Sequence, residues 1–313
     1  MNISICITTY NRPELLKETL DSCFNQTYKP FEIIIGDDSK DDLTEKMINT
    51  LPKIEGVTIN YNRHNPPLKQ AENVNFVFKH ATGNKLVLMH DDDLFVPDAI
   101  ESLVDILNKD STIKIAFGKS YVMSENGVID YKDSEISSNY YYKNKKYNGS
   151  VLSPIEAGII QQFPNNGYII DAELARNIPW RTKTSYAKLG NGCEYDFGLR
   201  IGLTGAKMYF IDKYLVKYRD TEISFSSNSD SAYKSYVVLK NTKTAPKYNR
   251  IKNIALTRKV SLGLVQALKV GQFKDAIAMF FSKNHLKLWY SPGFYNRFII
   301  ICKYVLNNGV KNK

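Results

Sequence analysis

The sequence predicts an α/β fold in which a mostly parallel central sheet is flanked by helices and followed by a basic helical tail. Three observations carry this. Short β-rich runs alternate with helical patterns over the first hundred residues, which is the signature of βαβ units. Aspartates gather directly after the second and fourth of those runs, at Asp37 and Asp38 and at Asp91, Asp92 and Asp93. Past residue 239 the charge turns strongly basic.

Residues 3–7 read as the first strand, and Pro13 starts a helix on which Leu16, Leu20 and Phe24 recur at helical spacing. Residues 32–36 (EIIIG) form a second strand, 57–61 a third and 86–89 (LVLM) a fourth. A helix over 70–81 precedes the last of these and is stopped by Thr82 and Gly83. After His90 and the three aspartates, Pro97 opens a helix with Ile100, Leu103, Val104 and Leu107 on one face. Residues 120–150, rich in Tyr, Asn, Lys and Ser, are predicted to form a long loop or flap. A helix over 154–161, another opening at Glu194, and paired strands 208–211 and 215–218 complete the body.

The net charge of +10 resides in the tail. Fifteen of the 42 Lys and Arg lie in residues 240–313 against a single acid, Asp275, which leaves 27 basic and 31 acidic residues before them. The asymmetry predicts a boundary at 239/240 and an anionic partner for the tail. Phe273, Ala276, Ile277, Phe280 and Phe281 fall at helical spacing there, and Phe294, Phe298, Ile301 and Val305 repeat the pattern near Trp289, Tyr290 and Tyr295. Such stripes either pack on the body or lie at a lipid surface. The charge ratio selects an anionic membrane surface, with no nucleic acid expected. Cys6, Cys23, Cys193 and Cys302 are far apart with no C-x-x-C pair, so neither a disulfide framework nor a zinc spacing is present. With no signal-peptide pattern and no run of about 18 apolar residues, the chain is expected to be cytoplasmic and peripheral on the inner face of the membrane.

The acids carry the chemistry. In open parallel sheets ligands bind at the carboxyl ends of strands, where both aspartate groups would converge. Three adjacent carboxylates repel one another, and a hard divalent cation holding a diphosphate relieves that repulsion. The alternative is a solvated acidic turn. Neither G-x-x-x-x-G-K-[ST] nor G-x-G-x-x-G occurs, which removes the P-loop and dinucleotide classes. No histidine pair has zinc-helix spacing, and no G-x-S-x-G elbow is present.

The ordered segments ISICITTYNRPELLKETLDSCFNQTY, FEIIIGDDS and ENVNFVFKHATGNKLVLMHDDDLFVPDAIESL together resemble the family 2 glycosyltransferases, inverting enzymes of the GT-A fold that use nucleotide sugars. The resemblance is close through residue 110 and looser to residue 225. It implies a catalytic domain over 1–239, with a nucleotide-sugar half at 1–110 and an acceptor half at 111–239, and the tail at 240–313. Thr8, Thr9, Tyr10 and Arg12 are implied around the base and ribose, Asp38 on the base edge, and Asn73 and Asn75 in the donor pocket. The metal-binding motif maps in two ways: Asp92 takes Mn²⁺ or Mg²⁺ if HDDD aligns as L-D-x-D-D, while the local reading pairs Asp91 with Asp93. Asp92 is assigned the metal, Asp93 stands beside it, and Asp91 faces the donor.

The segment from Glu194 to Arg200 resembles the family's E-D-x-D-L-x-L-R stretch, with Cys193 at the usual Glu place and Glu194 at that of the catalytic base. Asp196 accompanies it. The alternative is two acids favouring a helix N-terminus. A late Y-R-x-H-x-x-S segment is represented from Tyr218 with Thr221 in place of the His, and Arg219 is implied to face the diphosphate. The resemblance therefore implies transfer from a nucleotide-sugar donor, a UDP-sugar first, to a lipid-linked or other glycan acceptor in polysaccharide biosynthesis. The rivals are a nucleotidyltransferase, which lacks its glycine-rich phosphate loop here, and a non-catalytic sugar-nucleotide-binding or surface-binding protein whose basic tail binds lipid or nucleic acid.

Overall fold

The run ISICITT is buried on both faces and forms β1 (Ile3–Thr9), as expected of a strand inside a parallel sheet. The computed structural model describes residues 1–220 and 230–309, with side chains to residue 304; Thr221 and the side chain of Val305 lie outside the described residues. Pro13 sits at the first helical position of α1 (Pro13–Phe24), which buries Leu16, Leu20 and Phe24. There follow β2 (Glu32–Asp37), α2 (Leu43–Asn49), β3 (Thr58–Arg63), α3 (Gln70–His80), β4 (Lys85–His90), the short β5 (Leu94–Phe95) and α4 (Ala99–Lys109). The chain continues through β6 (Ile115–Met123), β7 (Ile129–Asp130), α5 (Tyr131–Tyr140), α6 (Pro154–Ile160), β8 (Tyr168–Asp171), α7 (Ala172–Asn177), α8 (Cys193–Leu203) and β9 (Met208–Arg219). The helices α9 (Ser231–Asn241), α10 (Asn249–Lys269), α11 (Phe273–Phe280), α12 (Lys283–Leu286) and α13 (Pro292–Gly309) follow.

Contacts group residues Met1–Arg181 and Phe197–Glu222 into one unit and Thr182–Asp196 with Ile223–Lys313 into another. The first unit holds the sheet, in the order β3-β2-β1-β4-β8-β6-β9-β5, with β7 paired to β6. The first four strands are parallel, as expected for βαβ units, and β8 joins β4 and β6 antiparallel. Because β1, β2 and β4 run in register, Thr9 lies opposite Asp37 and Thr8 opposite His90 at the carboxyl end of the sheet. Ile5, Ile7, Leu16, Leu20, Ile33, Val87, Leu103 and Leu107 fill the core between the sheet and the helices α1 and α4.

Two local expectations are corrected. Residues 120–150 contain strand and helix where a loop was predicted: β6 runs to Met123, and α5 is capped by Asp130, whose side chain accepts from the Asp133 N–H. The polar, aromatic composition misleads because its partners are distant in sequence. Tyr121 stacks on Tyr214 with centroids 4.0 Å apart, and the Ser134 hydroxyl accepts from the Val122 N–H at 2.8 Å. The expected pair of strands 208–211 and 215–218 is the single strand β9, parallel to β6 and antiparallel to β5. Asp212 and Lys213 read as a turn between them, yet the chain does not reverse there. The irregularity lies on β9 itself: from Phe117↔Phe210 to Lys119↔Tyr214 it advances four residues against two on β6, so Asp212 and Lys213 fall in a bulge, and a Cβ on the facing Gly118 would lie 2.6 Å from the Lys213 carbonyl oxygen.

The second unit is helical. The long helix α10 buries Ile251, Ala255, Val260, Leu264 and Ala267, which are spread around its circumference, as expected of a helix packed on several sides. The 239/240 charge boundary falls within this unit, at the end of α9.

Candidate active site

Four parallel strands deliver their polar ends to one edge of the sheet. There the Thr9 hydroxyl donates to Asp91 Oδ2 at 2.7 Å, and Arg12 places Nη1 2.8 Å from Asp92 Oδ2 and 3.5 Å from Asp91 Oδ1. The backbone holds Arg12 there. Asn11 adopts a φ of 53°, donates its N–H to Ser39 Oγ at 2.8 Å and accepts the Lys40 N–H, while Pro13 fixes the following turn. Asp93 is fully buried. It accepts the Arg219 N–H at 2.8 Å and an Asn166 amide, and lies 3.6 Å from His90 Nδ1. Burial pushes Asp91 up to about 6, with the Asp92 charge adding and Arg12 opposing. Burial also raises Asp93, reinforced by Asp92 and opposed by His90 and its hydrogen bonds.

His90, Asp92 and Asp93 each offer a ligand atom, all within 4.8 Å of one another. One imidazole nitrogen and two carboxylate oxygens beside carboxyls strained by mutual repulsion make a donor set that fits Mn²⁺ or Mg²⁺. Asp92 and Asp93 were expected here; His90 was not. It ends β4, and the turn at Asp91 and Asp92 brings its ring back to within 3.6 Å of Asp93. Asn166, Thr19 and Glu18 were also missed. They reach the cluster by folding alone: Thr19 Oγ1 donates to the Asp93 carbonyl, and Glu18 pairs with Arg219.

The remaining candidates divide. Thr8 is half-buried beside His90, and Tyr10 is exposed at the mouth of the same edge. Asp38 is buried, and its two oxygens accept the Leu68 and Lys69 N–H groups at 2.8 Å each, so it orders the segment before α3. Its neighbour Asp37 accepts from the Tyr61 hydroxyl and the Ser39 N–H. Asn73 donates to the Gly36 carbonyl at 3.0 Å and keeps a buried Oδ1 without a hydrogen-bond partner. Asn75 is engaged at both amide atoms with the Trp180 backbone, at 2.7 and 2.9 Å. Arg219, expected to face a diphosphate, is buried and donates to the Asp92 and Glu125 carbonyls and to Glu18. Its guanidinium knits the acidic turn to the end of β9, because a buried cation of five donors is stable only when those donors are met.

Glu194 and Asp196 belong to the second unit, in the first turn of α8. A 3-10 turn at Gly190–Gly192 delivers that turn. A side chain at residue 192 would run into Lys234, whose Cβ lies 2.5 Å from where a Cβ would stand. Asp196 is buried and Glu194 half-buried. Burial, with the Glu194 charge beside it, raises the Cys193 thiol well above its ordinary value, so Cys193 is an inert packing residue.

Known proteins are similar to this chain in sequence and in fold. The chain is 25% identical over 193 residues to the GalNAc(5)-diNAcBac-PP-undecaprenol beta-1,3-glucosyltransferase of Campylobacter jejuni, covering 59% of this chain and 61% of that protein. Among solved structures, S. aureus TarS 1–349 in complex with UDP-GlcNAc superposes with a TM-score of 0.60 at 14% identity, over 97% of this chain and 82% of that one. The mannosyltransferase PcManGT of Pyrobaculum calidifontis in complex with GDP-Man and Mn²⁺ superposes with a TM-score of 0.58 at 17% identity, over 99% and 86%. Both share the GT-A fold of a central sheet flanked by helices. Residues 4–162, more than half of the 313, match the family described as Glycosyl transferase family 2. Sequence and fold agree on one assignment, and the chain belongs to glycosyltransferase family 2.

Proposed function

We propose that the protein is a metal-dependent inverting glycosyltransferase that moves a sugar from a nucleotide-sugar donor, a UDP-sugar first, to a lipid-linked or other glycan acceptor in polysaccharide biosynthesis. The observation that carries the reading is the cluster of His90, Asp92 and Asp93 beside Thr9 and Arg12 at the carboxyl edge of a parallel sheet. UDP-GlcNAc and GDP-Man in the structural neighbours support a nucleotide-sugar donor, Mn²⁺ in the mannosyltransferase supports the cation, and the undecaprenol-linked substrate of the Campylobacter relative supports the acceptor class.

In this reading residues 1–110 hold the donor, 111–239 shape the acceptor side, and residues 240–313 attach the enzyme to an anionic membrane surface at its inner face. Thr8, Thr9, Tyr10 and Arg12 line the base and ribose, with Asp38 setting the base edge through the 68–69 segment. Asn73 and Asn75 shape the donor pocket from α3. Asp92 and Asp93, with His90, hold the cation, and Asp91 fixes Thr9. A bound divalent ion supplies Lewis-acid stabilisation of the departing diphosphate. Glu194 takes the proton from the acceptor hydroxyl as its oxygen bonds to the anomeric carbon; the carbon–oxygen bond to the diphosphate breaks, and its electron pair leaves with the nucleotide. Asp196 positions that turn, and Arg219 keeps the acidic turn in place.

The test is thermal stability with Mn²⁺ against a panel of nucleoside diphosphates and nucleotide sugars, beside Asp92→Ala. A rise in melting temperature with one nucleotide, dependent on Mn²⁺ and lost in the variant, is the expected result. No shift with any nucleotide overturns the donor site and leaves a surface-binding protein.

A further inference from the structure

Among the described residues, α11 and α13 each carry two apolar stripes, and only one stripe of each is buried. On α11, Ala276, Met279 and Phe280 are buried, while Phe273, Ile277 and then Phe281, at i, i+4 and i+8, are exposed. On α13, Phe294 stacks on His285 and lies 5.0 Å from the Phe280 ring, Arg297 donates to His285 Nε2 at 2.8 Å, and Ile301 is buried. One residue on, Tyr295 and Ile299 face out, while Phe298 sets one side of its ring 5.8 Å from Phe280. Between the two helices, Phe281, Trp289 and Tyr290 are 64%, 63% and 71% exposed. Nine of the 21 exposed large apolar side chains of the described chain fall between residues 273 and 299, far above their share of its length. A helix with two apolar faces needs two apolar environments, and the fold supplies one.

The segment is also firmly held. Asn284 donates to the Asn253 carbonyl and to Thr257 Oγ1 on α10, and Ser282 caps α12. From Ala276 to the end of the chain there are six Lys or Arg and no acid, and Lys283, Lys287 and Lys303 are exposed among the aromatic residues. A second copy seated on this surface would set like charges against one another. An anionic lipid surface neutralises them while taking up the rings, and Trp and Tyr are the side chains that settle at headgroup depth. No described helix is long and apolar enough to cross a membrane.

We infer that the outward stripe of α11 to α13, centred on Phe281, Leu286, Trp289, Tyr290, Tyr295 and Ile299, inserts into the headgroup layer of an anionic bilayer, and that the inward stripe of Phe280, Phe294 and Ile301 never meets lipid. The inference rests on the membrane attachment proposed above for residues 240–313 and names the surface that makes it. Only two tryptophans are present, and Trp180 is buried, so Trp289 reports alone on the contact.

The experiment adds vesicles of phosphatidylcholine, with and without phosphatidylglycerol, to the full chain and reads co-sedimentation together with Trp289 emission and its quenching by brominated lipid. Retention on the anionic vesicles with a blue-shifted, quenched Trp289 is expected. The triple variant Trp289→Ser, Tyr290→Ser, Ile299→Ser is expected to lose retention by about tenfold or more while its melting temperature and nucleotide-induced shift stay unchanged. Retention of the parent without quenching, and equal retention of the triple variant, overturns the insertion surface and leaves membrane attachment standing. No retention of the parent overturns both. A dimer in sedimentation velocity that the triple variant converts to monomer, with no effect of lipid, assigns the surface to self-association and overturns the inference.

Discussion

Arg12 sits against Asp92, Nη1 to Oδ2 at 2.8 Å, and so places a cation on one of the carboxylates that fit a metal. The backbone around it is fixed by the left-handed Asn11 and by Pro13, so the guanidinium stays near the cluster while its own torsions remain free to turn away. Arg12 thus offsets part of the charge of the cluster. Removing the guanidinium in Arg12→Ala leaves Asp91 and Asp92 without that counter-charge. Mn²⁺ binding to the nucleotide-free protein is then expected to tighten about five- to twentyfold, the size of a partly buried charge contact, while nucleotide binding weakens. Titration calorimetry with Mn²⁺ alone and then with nucleotide measures both; unchanged Mn²⁺ affinity contradicts it.

Asp92→Ala removes an oxygen proposed above to hold the cation and also frees Arg12. Transfer is expected to fall by at least about a hundredfold, with the Mn²⁺-dependent melting shift lost. Asp92→Asn, which keeps the size and loses the charge, is expected to behave alike. Coupled release of nucleoside diphosphate from the donor reads the activity.

Glu194→Gln keeps the shape of the α8 turn and cannot take a proton. A loss of about 10² to 10⁴ in turnover is expected for a general base, with the nucleotide-induced melting shift retained. A variant that keeps its turnover removes Glu194 from the chemistry.

Glu32 is a buried carboxylate that ties β1, β2 and β3 to the turn before β4. It accepts from Ser4 Oγ at 2.6 Å, from the Thr82 and Gly83 N–H groups, and from Asn60. Burial raises its pKa, and the donors from Ser4, Thr82 and Gly83 together outweigh that and hold it below the ordinary value. The unfolded chain therefore binds this proton first as pH falls. The stabilisation is present above the unfolded glutamate value and is lost as pH drops through the lower folded one. Glu32→Ala strands several buried donors and is expected to cost about 2 to 4 kcal/mol in urea unfolding at neutral pH, with the deficit narrowing in acid.

Features that depend on neighbours along the chain were legible before folding. Apolar runs of strand length, Pro13 at a helix start, and acids directly after strands are local signals, so the parallel core of β1 to β4 and the aspartates at its edge were legible from them. The basic tail was legible for the same reason, being a count. The remaining features involve partners far apart in sequence, which folding brought together. Folding made a strand and a helix of residues 120–150, because Tyr121 finds Tyr214 and Val122 finds Ser134. It turned Arg219 inward to Glu18 and Glu125 and took both amide atoms of Asn75 to Trp180, which no spacing announces. It also sorted the tail's stripes, burying Phe280 and leaving Phe281 in the open. Periodicity states that a face is apolar, and only packing against a particular neighbour settles which face is covered, because burial belongs to a pair of surfaces and a sequence describes one chain position at a time.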